Sequence, residues 1–161
     1  RKTFVERGWD LCWKCEKNKD AWSKRTLLEI KKRIEKTAKW NFTSVLLNQY
    51  RNEQDSVGWH RDNERELGPN PTIASVSFGA TRSFQFRHYF KKEIKTSVDL
   101  SHGSLLIMRA ETQDFWEHQI PKRSHPISPR INLTFRRLWL GRSLNGSRRS
   151  ILVISSSRRT F

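Results

Sequence analysis

The chain has 161 residues, 35% of them hydrophobic and 30% charged, which suits one globular domain with a core and is too polar for a bundle of membrane helices. No apolar run approaches the roughly 20 residues needed to cross a bilayer, and no basic-then-apolar segment opens the chain as a secretory signal would. The formal charge of +16 and the pI near 10.6 favour a polyanionic partner, nucleic acid first, because phosphates attract Lys and Arg and release counterions on binding.

Residues 1–20 have little periodicity and read as an irregular lead-in. Their two cysteines, Cys12 and Cys15 in "CWKC", read as reduced thiols, since a zinc site would need two further ligands. A helix is expected over 21–39, where Leu27, Ile30 and Ile34 recur three and four apart and Ser23 can cap. From Trp40 onward short runs rich in Val, Ile, Phe and Thr are broken by Gly, Pro and Asn. Strands are expected at 44–50, 72–78, 83–89, 104–109, 116–120 and 131–139. One helix followed by many short strands predicts a mainly β sandwich or barrel, with the domain spanning 21–137. In "SFGATRSF" Gly79 can supply the positive φ of a tight strand-to-strand connection. Trp40, Phe42, Trp59 and Trp116 are assigned to the core or to pocket walls. Residues 138–161 are rich in Ser and Arg and read as a loosely attached tail, with a candidate edge strand at 151–154.

The chemistry-bearing residues begin in "SVGWHRDNEREL". His60 and Asp62 are two apart, so in extended backbone both side chains fall on one face and can share an ion. The rest of the charged run 61–66 reads as a solvated loop. A third ligand is available from His118 in "DFWEHQIP", and two His with one carboxylate make a facial triad that leaves positions open on Fe(II). In "PRINLTFRR", Arg130, Asn132, Thr134 and Arg136 alternate. Such a face suits burial only if it meets an anion, and two guanidinium forks point to a dicarboxylate. Six positions of extended strand span about 20 Å, so the two arginines grip both ends of a five-carbon diacid only if the strand twists or the side chains converge. The same period also describes an amphipathic strand with solvated arginines. Asn48 and Tyr50 alternate in "LLNQYRN" and could add an amide and a phenol to a carboxylate site.

The blocks "NQYRNEQDSVGWHRDNERELG", "PTIASVSFGATRSFQFR", "HGSLLIMRAETQDFWEHQIPK" and "PRINLTFR" together resemble the AlkB family of Fe(II)- and 2-oxoglutarate-dependent dioxygenases, most closely its animal homologues two and three, from about Thr26 to Arg137. The resemblance implies a double-stranded β-helix, or jelly roll, with His60, Asp62 and His118 as catalytic iron ligands. It implies Asn48, Tyr50, Arg130, Asn132, Thr134 and Arg136 as 2-oxoglutarate contacts, and Fe(II), 2-oxoglutarate and O2 as cofactors. The implied activity is oxidative demethylation of 1-methyladenine and 3-methylcytosine in DNA or RNA with release of formaldehyde, on a base flipped from its stack, by a monomer working in the nucleus, or also in the cytoplasm. Three features depart from the family. Residues 1–20 do not match its nucleotide-recognition lid, Asn63 stands where the homologues carry a second aspartate used in substrate binding, and the basic tail runs past the usual end of the domain. Two alternatives stay open: a nucleic-acid-binding relative with little activity, and a protein hydroxylase of the same fold.

Overall fold

The apolar stripe Leu27, Ile34 and Ala38 is the buried face of helix α1 (Lys24–Ala38), whose other side carries exposed Arg25, Glu29, Lys32 and Arg33. The helix stops where Lys39 turns left-handed, at φ 48°, the conformation that commonly ends a helix. Its last carbonyl, on Ala38, accepts a hydrogen bond from the Arg109 guanidinium, which satisfies one of the acceptors a helix end leaves unpaired. The computed structural model describes residues 2–5 and 24–138; the CWKC pair and the Ser/Arg-rich segment lie outside them, as does the strand expected at 151–154.

Among the described residues nine strands form two antiparallel sheets: β1 (Lys2–Val5), β2 (Ser44–Tyr50), β3 (Val57–His60), β4 (Ile73–Gly79), β5 (Arg82–His88), β6 (Lys95–Leu100), β7 (Leu105–Met108), β8 (Trp116–Ile120) and β9 (Arg130–Arg136). The larger sheet has the order β1-β2-β9-β4-β7 and the smaller β3-β8-β5-β6. From β7 to β9 the chain changes sheet at every strand, the crossing pattern of a jelly roll. A short helix, α2 (Thr112–Phe115), leads directly into β8, and a single 3-10 turn at Arg65–Leu67 follows β3.

Period two divides the larger sheet into an apolar and a polar face. Val45, Ala74, Val76, Leu133 and Phe135 face α1 and close one core with Leu27, Ile34, Ala38 and Phe42. Burying a side chain of this kind stabilises by about 1.5–3 kcal/mol, so this layer holds the helix. On the opposite face the register sets Asn48 beside Asn132 and Tyr50 beside Arg130, with Ser75 and Ser77 of β4 against Thr134 and Asn132. A second core, of Tyr50, Ile73, Phe84, Leu100, Met108 and Ile120, fills the space between the sheets.

Most of the expected elements appear within a residue or two of their positions, and β9 ends at Arg136 rather than at 139. Three strands were not foreseen. The short β1 pairs with β2 through Lys2 and Leu47, inside the stretch read as irregular; β3 is four residues interrupted by Gly58; β6 is exposed along nearly its whole length, so burial does not impose an apolar alternation on it. Trp40 is a correction: it is 40% exposed, with the Arg137 guanidinium 5.8 Å from its ring, rather than in the core. Trp59 and Trp116 are half-buried, and Phe42 is in the α1 core.

Gly79 closes β4 with φ +88°, and a Cβ placed there would lie 2.3 Å from the Pro129 carbonyl oxygen. The glycine lets β4 approach the entry to β9 while Ala80 and Thr81 carry the chain to the other sheet. The substitution Gly79→Ala combines a left-handed alanine with a backbone clash, and should destabilise by about 2 kcal/mol or more. A fall in urea midpoint at unchanged slope is the expected result.

Candidate metal centre and cavity

β3 lies beside β8 with a register shift: Val57 pairs with Ile120 and His60 with His118, three residues on one strand against two on the other. An odd separation would put Val57 and His60 on opposite faces, and the bulge turns both inward, which is a known use of bulges beside functional sites. The chain then runs extended to Asp62, whose carboxylate approaches both imidazoles. His60 Nε2 is 3.9 Å from Asp62 Oδ1 and His118 Nε2 is 3.8 Å from Asp62 Oδ2. All three ligand atoms lie within 4.8 Å of one another, and Asp62 and His118 are buried.

The protonation pattern suits a cation. His60 Nδ1 is 2.8 Å from the Gly58 carbonyl; a carbonyl only accepts, so Nδ1 carries a proton and Nε2 is the ring nitrogen turned toward Asp62. Burial pushes the His118 pKa down to about 4, against the pull of Asp62 and with help from His60 and Arg136. That imidazole is therefore neutral at physiological pH, the form that binds metal. Two imidazoles and a carboxylate, with open space beside them, are the donor set of a facial Fe(II) site.

Asp62 is fixed from two directions. Arg136 Nη2 donates to its Oδ1 at 2.8 Å from β9, and its backbone N–H donates to Gln113 Oε1 at 2.9 Å from α2. Gln113 is wholly buried, and its amide nitrogen is 3.5 Å from Met108 Sδ. The neighbouring Arg61 donates to the Asp114 carbonyl at 3.1 Å. Helix α2, three residues before His118, thus holds the backbone of the segment bearing the other two ligands. Sequence reading missed Gln113, a lone amide on a short element with no pattern to mark it.

A small open pocket of about 40 Å³ joins these ligands to the polar face of the larger sheet. Asn48, Tyr50, Ser75, Asn132, Thr134 and Arg136 line it on one side, with Phe84, Met108 and Ile120 among its apolar walls. Asn132 is the hub of the polar face. Its Oδ1 accepts from Ser75 Oγ at 2.8 Å and Arg130 Nη2 at 3.0 Å, and its Nδ2 donates to Thr134 Oγ1 at 2.8 Å. The alternation of Ser75 and Ser77 in "IASVSFG" was the available signal for these partners.

Arg130 is 1% exposed. Its Nη2 is held by Ser77 and Asn132, yet its Nε and Nη1 have no hydrogen-bond partner among the described residues. Its guanidinium lies 5.0 Å from the Tyr50 ring centre. A buried guanidinium with two donors unused costs stability and matches a carboxylate that completes it. The two arginines of β9 do not converge on one group: Arg136 is engaged by Asp62 and lies 3.6 Å from Glu64, while Arg130 sits deep beside Tyr50. Asn63 is exposed and does not line the cavity.

A family model described as the 2OG-Fe(II) oxygenase superfamily matches residues 13–136. The chain is 46% identical over 123 residues to the alpha-ketoglutarate-dependent dioxygenase alkB homolog 3 of Bos taurus, covering 70% of this chain and 42% of that protein. It is 46% identical over 106 residues to the DNA oxidative demethylase ALKBH2 of Homo sapiens, covering 62% of this chain and 41% of that one. The chain thus spans less than half the length of these relatives. Among solved structures, OsALKBH1 superposes with a TM-score of 0.56 at 19% identity over 73% of this chain and 66% of that chain, a likeness of fold.

Removing the Gln113 amide frees the Asp62 backbone. The variant Gln113→Ala is expected to weaken Co(II) or Mn(II) binding by about 10- to 100-fold, the usual effect of losing a partner that orients a ligand, as read by metal titration. Gln113→Glu, which keeps an acceptor at the same reach, should recover most of it.

Proposed function

Because the chain belongs to the 2OG-Fe(II) oxygenase superfamily, we propose that it is an Fe(II)- and 2-oxoglutarate-dependent demethylase of N-alkylated bases, 1-methyladenine and 3-methylcytosine, in DNA or RNA. The observation that carries the reading is the pairing of a His60, Asp62, His118 donor set with a buried, half-satisfied Arg130 at the other end of the same polar face. The substrate class is supported by the net charge of +16 and by a relative that is a DNA oxidative demethylase. A DNA substrate would put the work in the nucleus, and an RNA substrate would extend it to the cytoplasm.

His60, Asp62 and His118 would hold the iron. Arg130 Nε and Nη1 would take the far carboxylate of 2-oxoglutarate, with the Tyr50 phenol beside it, while Asn48, Asn132 and Thr134 would shape the wall between. When bound, iron with 2-oxoglutarate and O2 supplies the oxidising power that converts an N-methyl group to hydroxymethyl, lost as formaldehyde, as 2-oxoglutarate becomes succinate and CO2. The protein's own part is orientation and the exclusion of water. Arg136 and Gln113 fix the Asp62 carboxylate and backbone, and the Gly58 carbonyl holds the His60 ring with Nε2 inward. Phe84 stacks on the His118 ring at 5.1 Å and, with Met108 and Ile120, keeps that side of the cavity dry. Asn63, at the exposed end of the ligand segment, would meet the substrate.

Formaldehyde release from oligonucleotides carrying 1-methyladenine or 3-methylcytosine is the direct test. Release should require 2-oxoglutarate and should vanish in His118→Ala; turnover confined to methylated or hydroxylatable peptides would overturn the nucleobase reading. Arg130→Ala should raise the 2-oxoglutarate dissociation constant by 100-fold or more, in line with losing a buried charge-paired partner at about 2–5 kcal/mol, while Mn(II) affinity stays within about threefold. Unchanged 2-oxoglutarate affinity would remove Arg130 from the cosubstrate site.

A further inference from the structure

The smaller sheet presents one end beside the metal-competent residues: β3 finishes at His60, β8 starts at Trp116, β5 finishes at His88 and β6 starts at Lys95. The β5–β6 turn projects from that same end. It is firmly built. The backbone N–H groups of Phe90 and Lys91 donate to His88 Nδ1 at 3.2 and 3.0 Å. Tyr89 N–H donates to the Phe115 carbonyl at 2.6 Å, and Ile94 N–H to the Lys91 carbonyl at 2.9 Å. Yet Phe90 on this turn is 69% exposed, and Phe115, 6.3 Å from it, is 38% exposed.

Cations are interleaved with these rings. The Arg61 guanidinium lies 3.8 Å and Lys92 Nζ 4.5 Å from the Tyr89 ring centre, and Lys91 and Lys95 are exposed on the same turn. Arg61 stands between the ligands His60 and Asp62, so the aromatic and cationic rim begins one residue from the metal set. Glu117 beneath the rim is already shared by Arg87 at 2.8 Å and Lys92 at 2.6 Å, and exposed Glu93 on the turn is outnumbered by Arg61, Lys91 and Lys95. Positive charge is left over for an outside partner.

We propose that this rim is a strand-binding surface for unpaired nucleotides flanking the base in the cavity: their bases stack on Phe90 and Phe115 and their phosphates meet Lys91 and Lys95. The inference rests on the nucleobase reading of the cavity. A fixed exposed ring is sequence-tolerant, because every base has a π face, and interleaved aromatics and cations are how single strands are held. A protein partner is disfavoured, since lysine is depleted where protein–protein interfaces are enriched in aromatics. The turn's fixed backbone means that little ordering would be needed on binding.

The test uses the full chain and unmethylated oligonucleotides, so it does not depend on turnover. By fluorescence anisotropy, Phe90→Ala should weaken a mixed-sequence single strand by about fivefold or more, the low end of the loss for one base–aromatic stack, and should weaken the matching blunt duplex less. Phe90→Trp should restore the single-strand affinity, and Lys91→Ala should reduce the slope of log affinity against log salt by about one. Equal losses on single strand and duplex, or unchanged affinity in Phe90→Ala, would overturn the proposal. Failure of the demethylase reading would instead appear as absent formaldehyde with strand binding intact.

Discussion

A carboxylate that is 4% exposed has to be compensated, because an unpaired buried charge costs several kcal/mol. At Asp62 that compensation comes from both sheets and from the helix ahead of β8. Arg136 reaches it from β9, His60 and His118 flank it from β3 and β8, and Gln113 takes its backbone N–H from α2. Three segments of the fold therefore converge on one side chain and a fourth, α2, on its backbone. The same convergence assembles a cation site, since a carboxylate held between two imidazoles has its lone pairs directed and its charge only partly neutralised by Arg136.

β9 shows how one strand serves two layers. Leu133 and Phe135 lock α1 onto the sheet, and Arg130, Asn132, Thr134 and Arg136 form the polar floor opposite. Such a floor is tolerable inside a sandwich because Ser75, Ser77 and Asn132 absorb most of its hydrogen-bonding capacity. Among the described residues, the unused Nε and Nη1 of Arg130 and the Nε of Arg136 are the exceptions.

The helix and the buried strands were legible because burial on one face imposes a period, 3.6 in α1 and two in β2, β4 and β9. The His60, Asp62, His118 grouping and the polar face of β9 were legible for the same reason, with the family resemblance ordering them. What sequence left out follows from the same logic. β6 is solvated, so no apolar alternation is enforced on it, and β3 hides behind a bulge that shifts Val57 and His60 out of strict alternation. Gln113 gives no periodic signal because its role is a single tertiary hydrogen bond. The distance between Arg130 and Arg136 was legible too: six residues of strand keep the two heads apart, with Arg136 on the Asp62 carboxylate and Arg130 on Ser77 and Asn132.

That separation bears on how substrate choice could differ within such a fold. The floor of the cavity is committed. Asn132 has its oxygen and part of its amide engaged, Arg136 is held by Asp62, and Tyr50 lies between Arg82 and Arg130, 5.6 and 5.0 Å from its ring centre. A change there disturbs the metal or cosubstrate region before it alters selectivity. Asn63 and Glu64 are instead exposed at the end of the ligand segment, and neither they nor Arg61, Tyr89 and Phe90 line the cavity. An amide at position 63 in place of a carboxylate removes a negative charge from the approach to the cavity and leaves Asp62 paired as before. Variation in substrate is therefore cheapest at the rim, where side chains can change without unpairing a buried charge.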